Sequence, residues 1–138
     1  MNEFQFTDLI LGQVESIVVD VRQSEVDTFM TLSGDNSTVH VDDAYAASRN
    51  FEQRIVHGAL VAAYISQLIG MKLPGKHGVL RSLNCEFRQP CYVPNRLIIS
   101  GKISRLVKPI RLVCVTVEVK SNSGALLVTA KAESVLKA

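Results

Sequence analysis

An apolar run decides how this chain folds, and it reads Ile55-Val56-His57-Gly58-Ala59-Leu60-Val61-Ala62-Ala63-Tyr64-Ile65. Apolar residues continue as far as Met71, and Pro74-Gly75 then follow as helix breakers. A segment that is apolar nearly all round predicts a buried helix over about Val56 to Met71. Such a helix must be covered on most sides, so we expect a sheet to wrap around it.

Segments with β-strand patterns lie on both sides of this helix. Gln13 to Val21 is rich in β-branched residues, which favours a strand. Apolar and polar residues alternate in four later segments, near residues 83–87, 97–103, 113–119 and 126–132. One strand, a helical middle and four strands in hairpin-like succession indicate an α+β fold, an antiparallel sheet wrapped around a long central apolar helix. We expect one domain over residues 1–138, and a homodimer that protects the sheet edges.

Charge is divided unequally along the chain. Residues 1–69 carry 3 Lys or Arg and 10 Asp or Glu, whereas residues 70–138 carry 12 and 3. The basic residues are spread along predicted strands rather than clustered, so we expect no nucleic-acid partner. The central apolar segment contains His57, Ser66 and Gln67 and is shorter than the about 20 residues that span a bilayer. We therefore expect no membrane segment.

Cysteine usage and the first residues bear on the compartment. Cys85, Cys91 and Cys114 are odd in number and none forms a close pair of the zinc-binding kind, so we expect reduced thiols and no metal. The segment from Met1 to Asp8 is acidic and lacks the basic-then-apolar order of a secretory signal. These features predict a cytoplasmic protein.

The reactive side chains are concentrated in the stretch Ser33-Gly34-Asp35-Asn36-Ser37-Thr38-Val39-His40. A helix with Ser24 as its N-cap is predicted to end at Gly34, and a second short helix is predicted after Asp42-Asp43. The segment from Gly34 to Val41 is therefore predicted as a loop that aims a carboxylate and an imidazole at one point. The helix that follows would expose unpaired N–H groups near His57-Gly58, which suit a negatively charged oxygen. From spacing alone, an Asp and a His in one loop are more often a turn former and a surface residue.

The loop resembles the signature of the MaoC-like hydratases and dehydratases, a hotdog-fold family that includes the (R)-specific enoyl-CoA hydratases. That signature runs Ser-Gly-Asp, any residue, Asn-Pro, an aliphatic residue and His. Ser33-Gly34-Asp35, Val39 and His40 match it, whereas Ser37-Thr38 stand where the family has Asn-Pro. The segment Ile55-Val56-His57-Gly58 also resembles the start of the family's central helix.

The resemblance implies an (R)-specific enzyme that adds water across the 2,3 double bond of an enoyl thioester, or removes water from a 3-hydroxyacyl thioester. Asp35 and His40 would hold that water as the catalytic residues. Gly58 would stabilise the enolate-like oxygen, and the further candidates for oxyanion or substrate binding are His57, Ser66 and Ser37. The substrate would be carried on coenzyme A or acyl carrier protein, without metal or organic cofactor, in fatty acid, polyhydroxyalkanoate or polyketide metabolism.

Two other functions stay open from the sequence. Hotdog proteins also hydrolyse acyl thioesters, although Ile55 to Met71 contains no Asp or Glu to act as a base. A non-catalytic acyl-thioester binder or assembly protein is the other alternative, and Ser37-Thr38 in place of Asn-Pro would favour it. His57 and Ser66 also have structural interpretations, as a capping or packing residue and as a hydroxyl bonded one turn back along the helix.

Overall fold

Five antiparallel strands in one sheet and four α-helices make up the computed structural model, which describes residues 1–137. The strands are β1 (Val14–Val21), β2 (Gly78–Phe87), β3 (Asn95–Val107), β4 (Leu112–Lys120) and β5 (Leu126–Leu136). The helices are α1 (Gln23–Ser33), α2 (Thr38–Val41), α3 (Asp43–Ser48) and α4 (Gly58–Met71), with 3-10 turns at Phe6–Asp8 and Lys108–Ile110. The predicted α+β hotdog architecture is confirmed.

The core lies between α4 and the inner face of the sheet. Burial follows the period-two pattern of β4, because alternate side chains of a strand point to opposite faces. Its valines are at most 2% exposed, whereas Thr116, Glu118 and Lys120 face solvent. Full burial of such an aliphatic side chain contributes about 1.5–3 kcal/mol. The residues of α4 that fill the other side of the core are Leu60, Val61, Ile65, Leu68 and Ile69.

The strand order β1-β3-β4-β5-β2 differs in one respect from the predicted succession of hairpins. β3, β4 and β5 are consecutive neighbours, as predicted, but β2 pairs with β5 at the far edge of the sheet. The reason is that β1 pairs with β3 and leaves it no free side. The connection over residues 88–94 must pass three strand spacings, about 14 Å, which an extended chain of this length easily spans.

Two helix starts also differ from prediction. The N-cap of α1 is Arg22 rather than Ser24, because Glu25 accepts a hydrogen bond from the Arg22 backbone N–H at 3.0 Å in a capping box. α4 begins at Gly58, two residues after the predicted start, because His57 has the extended backbone of an N-cap, with ψ of 130°. This later start matters for the site, since it places the free N–H groups of α4 at Gly58.

Residues 1–137 contain all three cysteines of the chain. Cys85, Cys91 and Cys114 are free thiols, as predicted. In the same part of the chain, no helix has the length and apolar character that crossing a membrane requires. The cytoplasmic compartment stays a prediction.

Candidate active site

The turn between α1 and α3 carries the two residues predicted to act on water. α1 ends at Gly34, whose φ of 73° is readily adopted only by glycine, and whose N–H donates to Met30 O at 2.9 Å. Asp35 follows at once. His40 lies in the one-turn helix α2 rather than in the predicted loop, because Ser37 O accepts from the His40 N–H at 2.9 Å and starts a helical turn.

The polar atoms of Asp35 and His40 lie close together in the structure. A carboxylate oxygen of Asp35 and one ring nitrogen each of His40 and His57 lie within 4.8 Å of one another. A water molecule hydrogen-bonds at about 2.8 Å to each partner, so it bridges separations up to about 5.6 Å. The geometry therefore allows one water to contact the carboxylate and an imidazole together.

The backbone sets which nitrogen of His40 is available. Its Nδ1 lies 2.8 Å from the carbonyl oxygen of Ile55. A carbonyl only accepts, so Nδ1 carries the proton and donates it, and in the neutral ring Nε2 keeps the lone pair. No described residue hydrogen-bonds to Nε2. His40 is thus arranged as a base with one free nitrogen.

Ser37 holds Asp35 rather than facing the cleft as a separate substrate ligand. The Ser37 backbone N–H donates to Asp35 Oδ1 at 3.1 Å, and its hydroxyl donates to the same oxygen. The Ser37 hydroxyl, followed by the backbone N–H, holds the pKa of Asp35 below its ordinary value, against the opposing effect of partial burial. Asp35 therefore stays ionised, with Oδ2 available to other partners. The sequence analysis predicts Ser37 as an oxyanion or substrate ligand, whereas its observed contacts are to Asp35, and the serine two residues after the aspartate is the signal for them.

His57 is the buried partner of both reactive residues. Its side chain is 1% exposed, its ring stacks on that of His40 with centroids 3.8 Å apart, and its Nε2 lies 2.9 Å from Asp35 O. Phe29 contacts the same ring edge-on, with centroids 5.0 Å apart. The interpretation as a packing residue agrees with this burial, whereas direct binding of substrate does not.

Gly58 presents a free donor next to the pair. No described residue accepts a hydrogen bond from its N–H, which lies in the first turn of the 14-residue helix α4. A Cβ at this position would lie 2.9 Å from the ring of Phe87. The glycine allows close approach of the Phe87 ring, and Phe87 is 55% exposed over the helix start.

An apolar cleft of about 400 Å³ runs past His40 and the start of α4. His40, Gly58 and Phe87 lie along it, and Ile55, Val61 and Leu127 are among its apolar lining residues. Cys91 also lines the cleft, but burial raises the pKa of its thiol to about 11, so it is no thiolate nucleophile. The cleft therefore offers an apolar surface beside His40 and the start of α4.

Ser66 is not brought to this cleft within one chain. It is exposed on α4, eight residues beyond Gly58, which corresponds to about 12 Å along the helix axis. Its predicted substrate role stays a prediction.

The arrangement of the two histidines does not suit a shared metal ion. Their rings are inclined by only 24°, so the lone pairs lie in nearly parallel planes. A metal ion needs both lone pairs to converge on one point about 2.0–2.1 Å from each nitrogen. One nitrogen of each ring is also engaged by a backbone carbonyl. Asp35, His40 and His57 are better described as a hydrogen-bonded cluster than as a ligand set.

The fold and this cluster together define a hotdog-fold protein with an acid-base site at the start of its central helix. The chain belongs to the MaoC-like family, since the family model described as "MaoC like domain" matches residues 9–125.

Individual relatives agree with this assignment. The chain is 32% identical over 124 residues to an (R)-specific enoyl-CoA hydratase of Aeromonas caviae, covering 90% of this chain and 92% of the relative. It is 31% identical over 112 residues to a 3-hydroxybutyryl-CoA dehydratase of Methylorubrum extorquens, covering 79% and 71%. Among solved structures, the (R)-hydratase from A. caviae involved in PHA biosynthesis matches with a TM-score of 0.86 and 32% identity, over 94% of this chain and 98% of the other.

Proposed function

We propose that this protein is a hydro-lyase that adds water across the 2,3 double bond of a trans-2-enoyl thioester to give the (R)-3-hydroxyacyl thioester, or catalyses the reverse dehydration. The observation that carries the proposal is the approach of an Asp35 carboxylate oxygen and a His40 ring nitrogen to within 4.8 Å, with His40 and Gly58 lining one apolar cleft. The relatives named hydratase and dehydratase support the same reaction.

Asp35 and His40 carry out the proton transfers of this reaction. His40 Nε2, the free nitrogen, takes a proton from the bridging water while ionised Asp35 accepts the second hydrogen bond of that water. The water oxygen then forms a bond to C3. The π electrons of the 2,3 double bond move toward the thioester carbonyl, and the proton returns to C2, so that one water is added overall.

Gly58 meets the charge that develops during this step. The thioester oxygen becomes enolate-like as the C3–O bond forms, and a preorganised N–H at the positive end of α4 stabilises it. Such a donor is most useful in the transition state, where the charge is larger than in the bound substrate.

The apolar cleft and the free edge of the sheet indicate what this protein binds. The apolar cleft suits the acyl part of a thioester, and the carrier is coenzyme A or acyl carrier protein.

We also propose a homodimer that pairs two β2 strands, because β2 is a sheet edge with unpaired backbone groups. Val79, Leu80 and Phe87 on this strand are 53%, 38% and 55% exposed, which supports burial by a second copy.

One assay separates the candidate functions. Crotonyl thioesters of coenzyme A and acyl carrier protein are supplied, and the enoyl absorbance, the free thiol and the chirality of the product are measured. We expect loss of enoyl absorbance and an (R)-3-hydroxy product. Release of thiol without hydration would indicate a hydrolase, and binding without turnover would indicate a binder. An (S) product, or no turnover with short and medium chains on either carrier, would contradict the proposal.

No specific contact favours the hydrolase. α4 carries no Asp or Glu, so the base that a hotdog hydrolase would use there is absent from this helix. The missing Asn-Pro favours a binder, but Ser37 supplies two hydrogen bonds to Asp35 at this point of the turn.

A further inference from the structure

His57 makes its polar contacts with the reactive cluster and not with solvent. Its side chain is 1% exposed at the N-cap of α4, and it makes no side-chain capping bond to that helix. We propose that His57 is a positioning residue that fixes Asp35 and His40 relative to each other and never touches the substrate. This inference rests on the proposed hydration reaction.

The first contact anchors the turn that carries Asp35. His57 Nε2 lies 2.9 Å from the carbonyl oxygen of Asp35, 22 residues earlier in the chain. A carbonyl oxygen only accepts, so Nε2 must carry the ring proton. The bond ties the Asp35 backbone to the start of α4, the element that also presents Gly58. The Asp35 carboxylate and the Gly58 N–H are thereby held in place relative to each other.

The second contact orients the imidazole of His40. The rings of His57 and His40 stack with centroids 3.8 Å apart and planes inclined by 24°. Together with the bond from His40 Nδ1 to Ile55 O, the stack restrains rotation of the ring in which Nε2 must face the water. A displacement of about 1 Å in such a group can lower a rate by about 100-fold.

Other roles for His57 fit the contacts less well. Its Nδ1 is buried and has no hydrogen-bond partner among the described residues, so this nitrogen is not presented to a ligand. A helix-capping role would require the side chain to accept from an α4 N–H, and it does not. Besides the edge-on contact with Phe29, what remains is the pair of contacts to Asp35 and His40.

Three substitutions separate the two contacts. In His57→Gln, the amide nitrogen reaches about as far as Nε2, so the bond to Asp35 O is retained and the stack is lost. His57→Phe retains a ring against His40 and loses the donor. The shorter side chain of His57→Asn ends near the position of Nδ1, so the bond to Asp35 O and the stack on His40 are both lost. We expect kcat to fall about tenfold for Gln and for Phe and about 100-fold for Asn, with KM changed less than about threefold.

His77→Gln is the matched control, since His77 lies beyond the opposite end of α4, and the kcat of this variant should be unchanged.

The tautomer of His57 gives a test that does not depend on any variant folding. In wild-type protein labelled with nitrogen-15, long-range proton-nitrogen spectra should show His57 protonated at Nε2. Protonation at Nδ1 alone would exclude the bond to Asp35 O and overturn the proposal.

Folded His57 variants with near-normal kcat, or with losses confined to KM, would also overturn the proposal. Failure of the proposed function would be recognised separately, as absence of hydration by the wild-type protein.

Discussion

The hydroxyl and the backbone N–H of Ser37 both donate hydrogen bonds to Oδ1 of Asp35. Ser37 stands where the family signature has asparagine, and this departure supplies two hydrogen bonds to the Asp35 carboxylate. Both donors favour the ionised carboxylate and leave Oδ2 as the oxygen that can meet the reacting water.

Removal of the Ser37 hydroxyl should change the pH dependence of the reaction. The hydroxyl lowers the pKa of Asp35, so Ser37→Ala should raise that pKa toward its ordinary value. Ionised Asp35 is then lost at a higher pH, and the acid limb of kcat/KM moves to higher pH. The ordinary pKa of an aspartate is 3.8, so profiles from about pH 2.5 to about pH 7 measure the shift. Ser37→Thr keeps a hydroxyl and should keep the wild-type limb, whereas an unmoved limb in the alanine variant would exclude this role.

Asp35 and His40 should behave as one catalytic unit. Asp35→Asn and His40→Ala should each lower kcat by at least about 100-fold, and the double variant should be little worse than either single variant. The expectation follows because both groups act on the same water. Steady-state kinetics of the three variants decide it, with Asp27→Asn on the exposed face of α1 as a control. Multiplying losses would show that the two residues act on separate groups.

Gly58 can be tested by comparing proline with alanine. Both substitutions add a Cβ that meets the Phe87 ring, but only proline removes the N–H. Proline suits the first helical position, and the ψ of 130° at His57 suits a residue that precedes proline. We expect Gly58→Pro to lower kcat about 10²- to 10³-fold relative to Gly58→Ala, because one oxyanion donor is lost.

Circular dichroism and thermal melting must accompany those kinetics. If the alanine variant is itself inactive, both substitutions can be repeated with Phe87→Ala, which removes the ring that the new Cβ meets. Equal kcat for folded alanine and proline variants would place the oxyanion site elsewhere.

Thr38 offers a stability prediction. It is the first residue of α2, it follows Ser37 with ψ of 139°, and no described residue accepts a hydrogen bond from its N–H. Thr38→Pro should therefore raise the free energy of unfolding by about 0.4–1 kcal/mol, since it restricts the unfolded chain without removing a native bond. Denaturant unfolding measures the change, and Thr38→Ala controls for the lost side chain. A destabilised proline variant would mean that the turn needs a different backbone conformation.

Much of the fold could be predicted because its signals are local. The alternation from Val113 to Val119 identifies an inner and an outer face of β4, and Gly34 ends α1 by its own backbone preference. The position of β2 could not be predicted in this way. Its pairing with β5 depends on β1 occupying the side of β3, and that competition involves strands far apart in the chain.

By itself, the sequence determined the buried helix from the apolar run, the strands around it, and the Asp35 and His40 pair from their register in one short stretch. Only the tertiary structure decided that His57 stacks on His40, that its Nε2 meets Asp35 O, and that Phe87 covers Gly58. The physical reason is that periodicity and turn preferences act between near neighbours in the chain. Contacts between the α1–α2 turn, the start of α4 and the end of β2 exist only once the core has packed these segments together.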